Sequence, residues 1–362
     1  MPVASSSDTP FMSVVIRSKD EAERLKLTLA SLECQTEDCE IIVVDDGSSD
    51  RTGGILAQAS ERLPLRVHRH STARGRSAAA NAGAGLARGE VLLFLDGDTL
   101  LGPGALSRHI ALHRRLPRVI GRGNPNHLRC TRIFLDPETG LPWPDRTEDV
   151  LRRPRAEIER MLVTRDEVRH DFGAIERRAE PGIYPGAGPR RLHELEAEAL
   201  RTMSDCPTLW IAACGHNMSI PREEFLAVGG FDTQLDINEH RELALKLFER
   251  GFKMIPVPDA PSYHLTHRSG WRDPLKDGAW EAAFLERHPR PEAALMIVFW
   301  ASLSHGSPIP PQFRIGSLAE LAEAARSGRD YDDARESIMA PRLGSAFWAA
   351  GAEGGRSAAA SR

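Results

Sequence analysis

Residues 11 to 101 alternate between short apolar runs and stretches with apolar positions at helical spacing. Phe11 to Ile16 is an apolar run, and Asp20 to Leu32 follows with Leu25, Leu29 and Leu32 on one helical face behind an aspartate suited to an N-cap. Glu40 to Val44 is a second apolar run, followed by a helical stretch from Thr52 to Arg62. Leu65 to His68 is a third, followed by a small-residue helix from Ser77 to Ala87. Val91 to Leu95 is apolar without alternation, which predicts a strand covered on both faces. Strands alternating with helices predict right-handed crossovers and an α/β fold on a mostly parallel sheet flanked by helices.

Beyond this pattern the chain changes character. Between Pro117 and Pro207 prolines, glycines and arginines dominate, with helical stretches from Ala156 to Leu162 and Leu192 to Met203. Such a segment in an α/β protein reads as loops over the carboxyl edge of the sheet. The Arg152-Arg153, Arg177-Arg178 and Arg190-Arg191 pairs sit near acidic residues and read as solvated faces. Leu209 to Cys214 reads as another apolar strand, Glu223 to Val228 as a short helix, and Glu239 to Arg250 as a helix closed by Gly251. Lys253 to Val257 reads as a strand, with Ser262 to His267 in a loop after it. Helices are expected at Trp280 to Arg287, Glu292 to Leu303 and Leu318 to Ala325. The apolar run Leu295 to Trp300 reads as core packing, with a partner or membrane-surface contact as the alternative.

Composition narrows the partners. The net charge of −4 on 362 residues gives no reason to expect nucleic acid. Five scattered cysteines form neither paired metal spacing nor a disulfide framework, which fits a reducing cytoplasm. No segment is long and apolar enough for a transmembrane segment, and the Ser-rich residues 1–10 read as a disordered lead-in without a signal-peptide pattern.

The candidate chemistry collects where strands end. Val91 to Leu95 runs into Asp96-Gly97-Asp98, and Glu40 to Val44 into Asp45-Asp46. In open α/β sheets the ligand crevice lies outside the carboxyl ends of the strands. Two carboxylates with a glycine between them suit a hard divalent cation bound together with a phosphate. Gly83-Ala-Gly85 with Gly89 is no dinucleotide fingerprint, since those glycines close a helix and precede a strand.

Ser13-Val-Val-Ile16 with Lys19-Asp-Glu21, then Val43-Val-Asp-Asp-Gly-Ser-Ser-Asp50, Ala80-Asn-Ala-Gly83 and Phe94-Leu-Asp-Gly-Asp98, resembles in order and spacing the nucleotide-binding half of family-two inverting glycosyltransferases of the GT-A fold. One departure is Arg17, where that family usually has proline. The resemblance implies a nucleoside-diphosphate sugar donor, a UDP-sugar first among them, and Mn²⁺ or Mg²⁺ as cofactor. It implies a hydroxyl on a sugar, small-molecule, lipid-linked or peptide acceptor, and leaves a homodimer open. By position, Arg17, Ser18, Glu21, Asp45 and Asp46 would hold base and ribose, Asp96 would reach ribose or sugar, and Asp98 would bind the metal. Arg74 and Arg76 fall near the implied diphosphate, and arginine suits phosphate. Gly215-His-Asn-Met-Ser219 and Gly229-Gly-Phe-Asp232 resemble the sugar- and acceptor-facing region, making Gly215, Asn217 and Asp232 candidate contacts. A Tyr-His pair after the strand from Lys253 makes His264 the implied histidine ligand, with His267 in reserve.

The second departure lies in the helix from Glu239. The family's segment reads Glu-Asp-x-Glu-Leu with the Asp as general base, whereas this chain reads Glu239-His-Arg-Glu-Leu243. Three readings follow, in this order: His240 is the base, kept neutral by the positive helix terminus; Glu239 has taken the role; or the chain binds nucleotide sugars without transfer. A sugar nucleotidyltransferase would want a glycine-rich loop that Arg17-Ser-Lys-Asp-Glu21 lacks. The expected organisation is a GT-A catalytic domain over 11–271, divided into a nucleotide-sugar half (11–116), a divergent insertion (117–207) and an acceptor half (208–271). A helical extension (272–350) and a flexible tail (351–362) follow.

Overall fold

Among the described residues eleven strands organise the chain: β1 (Met12–Ser18), β2 (Glu40–Asp45), β3 (Leu65–Arg69), β4 (Val91–Asp96), β5 (Thr99–Leu101), β6 (Val119–His127), β7 (Phe134–Asp136), β8 (Leu141–Pro142), β9 (Glu180–Pro181), β10 (Met218–Pro221) and β11 (Lys253–His264). The computed structural model describes residues 9–267, 275, 279–304, 306–307 and 309–338. Most of the expected lead-in, the boundary at 271 and the expected tail lie outside the described residues.

One sheet runs β3-β2-β1-β4-β10-β6-β11-β5, with β9 beside β6; β7 and β8 form a separate hairpin. The first four strands are parallel, β10 runs against both its neighbours, and β6 and β11 are parallel again. Alternate side chains of the parallel strands enter different cores. Val14, Ile16, Ile41, Val43, Leu93 and Leu95 meet helices Ala22–Glu33, Thr52–Ala59 and Ala105–Arg115. Val15, Ile42, Val44, Leu92 and Phe94 meet helices Arg76–Leu86, Ala187–Thr202, Glu239–Glu249 and Pro291–Ser302. The expected helix–sheet–helix layering is therefore present, and Leu295 to Trp300 is buried in the second core.

The connection from β4 to β5 shapes the site. Asp96 ends β4 and Thr99 begins β5, a step of three residues that spans at most about 11 Å. Four inter-strand spacings separate them along the sheet, about 19 Å if it were flat. The sheet must curl, so Asp98 comes beside the end of β11, where Thr99 pairs with His264. The Asp98 carbonyl accepts from Leu265 N at 2.8 Å.

Three expectations change. Leu209 to Cys214 is not a strand: Leu209–Ala212 forms a 3-10 turn buried under helix Glu239–Glu249, because a short apolar run suits either a core strand or a buried helical turn. Ser262 to His264 is not loop but the end of β11, which continues past a bulge between Val257 and Pro261. Prolines at 256, 258 and 261 conceal it in the sequence. The stretch from Pro117 also begins with a central strand, β6. Its Gly121 and Gly123 look like loop glycines, yet a Cβ there would strike Ser219 and Asn217 of the adjoining chain.

Candidate active site

Two adjoining clefts open along the strand ends. The first, about 460 Å³, takes in Arg17, Ser18, Glu21, Asp46, Arg76, Asp96, Asp98 and His267. The second, about 360 Å³, takes in Tyr184, Glu196, Gly215, His216, Glu239, His240 and Trp300. Arg17, Gly75, Arg76 and Asp96 line both.

At the floor of the first cleft the curl of the sheet gathers Asp98, His264 and His267, whose ligand atoms lie within 4.8 Å of one another. His267 Nε2 stands 2.7 Å and His264 Nε2 3.3 Å from Asp98 Oδ2. His264 Nδ1 donates to the Ile183 carbonyl at 3.2 Å, which directs Nε2 to the Asp98 side. A carbonyl that orients the imidazole in this way is the usual second partner of a ligating histidine. Burial acts to raise the Asp98 carboxyl, but the two imidazoles hold it well below the carboxylate range. Burial, then the charges of Asp98 and Asp96, push Glu21 well above its usual range. One carboxylate and two imidazoles of this spacing fit a divalent cation.

Gly97 allows this crowding. A Cβ on it would collide with the Glu21 carboxylate and stand 2.9 Å from Ser18 Oγ. Asp46, in the wall of the first cleft, approaches His70 Nδ1 at 2.7 Å and accepts from the backbone N–H groups of Arg74 and Gly75 at 2.8 and 2.9 Å. It therefore shapes the loop that delivers Arg76 to the N-terminus of its helix. Asp45 accepts from Ser48 N and lines neither cleft.

Arg17 forms the wall between the clefts. It donates through Nε to Asp96 Oδ1 at 2.7 Å and through Nη1 to Glu239 Oε1 at 2.9 Å. Burial acts to raise Glu239, but Arg17 and then His240 hold it well below the carboxylate range. Burial pushes His240 below its usual value. Its Nε2 accepts from Arg241 Nη1 at 2.9 Å, while its buried Nδ1 faces Glu239 Oε2 at 3.6 Å without a hydrogen bond. Gly215 lies against both, since a Cβ on it would be 3.3 Å from Arg17 Nη2 and from His240 Nδ1.

The structure does not bring every expected contact here. Asn217, in the left-handed region at φ 59°, is buried with its amide bonded to His109 Nε2 and to the Ala260 carbonyl. Asp232 pairs with Arg287 Nε at 2.6 Å and lines neither cleft. Other residues enter that sequence reasoning passed over. His216 lies 4.0 Å from Asp96 Oδ2 and 3.8 Å from Cys214 Sγ; burial opposes its charge, but Cys214 and Asp96 raise it to about 9. Tyr184, Glu196 and Trp300 come from the stretch after Pro117 and from the C-terminal helices, where no motif marks them. His216, between Gly215 and Asn217, could have been found from that motif.

Residues 13–161 match the sequence model of the family described as Glycosyl transferase family 2. Over these residues the chain is similar to family 2 glycosyltransferases. Proteins similar to this chain include two named validoxylamine A glucosyltransferase. The one from Streptomyces hygroscopicus subsp. jinggangensis (strain 5008) is 28% identical over 84% of this chain and 67% of its own length. The one from Streptomyces hygroscopicus subsp. limoneus is 27% identical over 84% of this chain and 62% of its own. Among solved structures, GalNAc-T7 with UDP, GalNAc and Mn²⁺ is similar at a TM-score of 0.50 and 17% identity. That match covers 78% of this chain and 48% of that one. The chain has the GT-A fold, a mixed sheet flanked by helices. Among the described residues no helix is long and apolar enough to cross a membrane.

Proposed function

We propose that the protein transfers a sugar, with inversion, from a nucleoside-diphosphate sugar to a hydroxyl-bearing acceptor, with a UDP-sugar as the donor. The observation that carries this reading is the adjacency of the two clefts. The first holds Ser18, Glu21, Asp46 and Asp96 with the Asp98, His264 and His267 cluster, and the second holds Glu239 and His240 across the shared wall. The two glucosyltransferase relatives agree with transfer as the activity, and with a glucosyl donor as the first to try.

In this reading the nucleoside lies along Ser18, Glu21 and Asp46, and the diphosphate lies toward Arg76. Asp98, His264 and His267 would hold Mn²⁺ or Mg²⁺. When bound, such a cation neutralises the charge that grows on a departing diphosphate. The acceptor oxygen attacks the anomeric carbon as the bond to the diphosphate oxygen breaks, and its proton passes to a base in the second cleft. We assign that base to Glu239. This departs from the order in which the sequence ranks the two candidates, because Nε2 of His240 already accepts from Arg241, which puts the proton of the neutral ring on Nδ1 and leaves no free lone pair. His240 then packs beside Glu239.

The test is direct. Purified protein with Mn²⁺, UDP-glucose and a panel of small polyhydroxylated acceptors should release UDP and form a new glycosidic bond, and NMR of the product should show configuration opposite to the donor. Retained configuration would count against the family's chemistry. Donor binding without turnover on any acceptor would favour a nucleotide-sugar-binding role.

A further inference from the structure

We propose that Arg17 is a positioning residue that yokes the donor-side carboxylate Asp96 to the acceptor-side carboxylate Glu239, and so sets the base relative to the donor. The inference rests on the transferase reading above and goes beyond it, since Arg17 stands where the family's usual proline has no side chain able to do this. Proline offers neither charge nor donors, whereas the guanidinium carries five N–H groups in a fixed plane and can serve two carboxylates at once.

Three observations converge on this role. The first is geometry: Nε meets Asp96 Oδ1 at 2.7 Å and Nη1 meets Glu239 Oε1 at 2.9 Å, on side chains 222 positions apart in the case of Glu239. The second is burial, because Arg17 and Glu239 are 11% and 3% exposed as side chains, so solvent screens their pair little. The third is the space kept for it, since a side chain at Gly215 would press on the guanidinium. Arg17 is thus held by two carboxylates, which makes it poorly suited to serve the diphosphate; Arg76, which lines both clefts and makes no ion pair among the described residues, is the better anion contact. The groups facing Glu239 are Arg17 from β1, Arg76 from helix Arg76–Leu86, and His240 on its own helix. Of these Arg17 alone donates to the Glu239 carboxylate at 2.9 Å.

The experiment uses the full-length protein and Arg17→Met, Arg17→Lys, Glu239→Gln and the double variant Arg17→Met with Glu239→Gln. If Arg17 acts through the base, Arg17→Met lowers kcat by roughly 10- to 100-fold with donor KM little changed, a part of the roughly 10²- to 10⁴-fold that a general base contributes. Arg17→Lys recovers part of the rate, because one ammonium cannot reproduce both in-plane bonds. The double variant is then no slower than Glu239→Gln alone, since the two changes remove one function. A second readout needs no turnover: the ¹³C signal of the Glu239 carboxyl, assigned from its loss in Glu239→Gln, should stay ionised through about pH 4.3 in the native protein and titrate at or above it in Arg17→Met. Native kcat in Arg17→Met, a raised donor KM with unchanged kcat, additive losses, or an unmoved carboxyl titration would each overturn the yoke. A native protein without transferase activity would overturn the functional reading instead, while the carboxyl titration still decides the role of Arg17.

Discussion

Nε2 of His267 lies 2.7 Å from Oδ2 of Asp98, closer than the His264 Nε2 at 3.3 Å. Such a contact between an imidazole and a carboxylate, with both side chains mostly buried, is the arrangement a cation would enter. His267→Ala and His264→Ala should each weaken Mn²⁺ binding in the presence of UDP. The loss should be at least the roughly 10- to 100-fold that removal of a second-shell partner costs a metal site. Asp98→Ala should abolish metal-dependent UDP binding while the thermal transition stays cooperative. Calorimetric titration decides, and an unchanged affinity for UDP with Mn²⁺ in Asp98→Ala would remove that residue from the site.

Gly97→Ala tests the crowding of carboxylates behind the cation site. A methyl there would collide with the Glu21 carboxylate, and with Ser18 Oγ at 2.9 Å. Glu21 lines the cleft and its carboxylate can swing aside, but Ser18 is buried on β1, so full relief also requires a shift of the Asp96–Asp98 turn. Overpacking of this kind costs about 1–3 kcal/mol. The variant should melt several degrees lower and bind UDP with Mn²⁺ more weakly than the native protein; native melting and binding would mean that the turn moves freely.

The sequence made much of this legible and concealed the rest for identifiable reasons. The strands that end in Asp45 and Asp96 are continuous apolar runs, and their alternate residues do enter the two cores. Asp98 and His264, far apart in sequence, were both visible because each sits beside a strand end. What no periodicity could announce is the curl that brings them together, which depends on β5 pairing with β11 instead of β4. β6 escaped notice because its glycines are required by the approach of Ser219 and Asn217, not by a turn. Asn217 reads as a sugar contact from its place in Gly215-His-Asn-Met-Ser219, but its amide bonds inside the protein, to His109 and to the Ala260 carbonyl.

The pH profile separates Glu239 from His240 as base. Glu239 is held below the ordinary carboxylate range, so as base it stays ionised and kcat should remain flat as pH falls from 7 to about 4.5, wherever the fold survives. His240 is lowered from 6.5 by burial, so as base it would give an acid limb below pH 6.5 but far above that of Glu239. Glu239→Gln should reduce kcat by roughly 100-fold or more, the usual scale for a general base, and His240→Gln by less. The opposite ranking, with an acid limb that disappears in His240→Gln, would give the role to the histidine.

Stability should also depend on pH through a buried chain of hydrogen bonds behind the sheet. His109 Nε2 faces the Asn217 carbonyl oxygen at 2.9 Å and must donate to it, so Nδ1 is the unprotonated nitrogen and accepts from Ser219 Oγ at 2.8 Å. The Ser219 oxygen is then free to accept from His113 Nε2, also at 2.8 Å. The link from Ser219 to His109 Nδ1 requires a neutral imidazole, and His113 is buried where a charge is costly. Burial accordingly pushes both histidines down to about 4. In the unfolded chain they take up protons near pH 6.5. The unfolded state therefore binds more protons between about pH 6.5 and 4, so the stability these groups contribute is present above 6.5 and is lost as pH falls toward 4. The melting temperature should drop across that window, and His113→Gln should lessen the drop while lowering the melting temperature at pH 7.5. If the native protein and His113→Gln show parallel melting curves from pH 7.5 to 4.5, the chain of neutral imidazoles does not control acid stability.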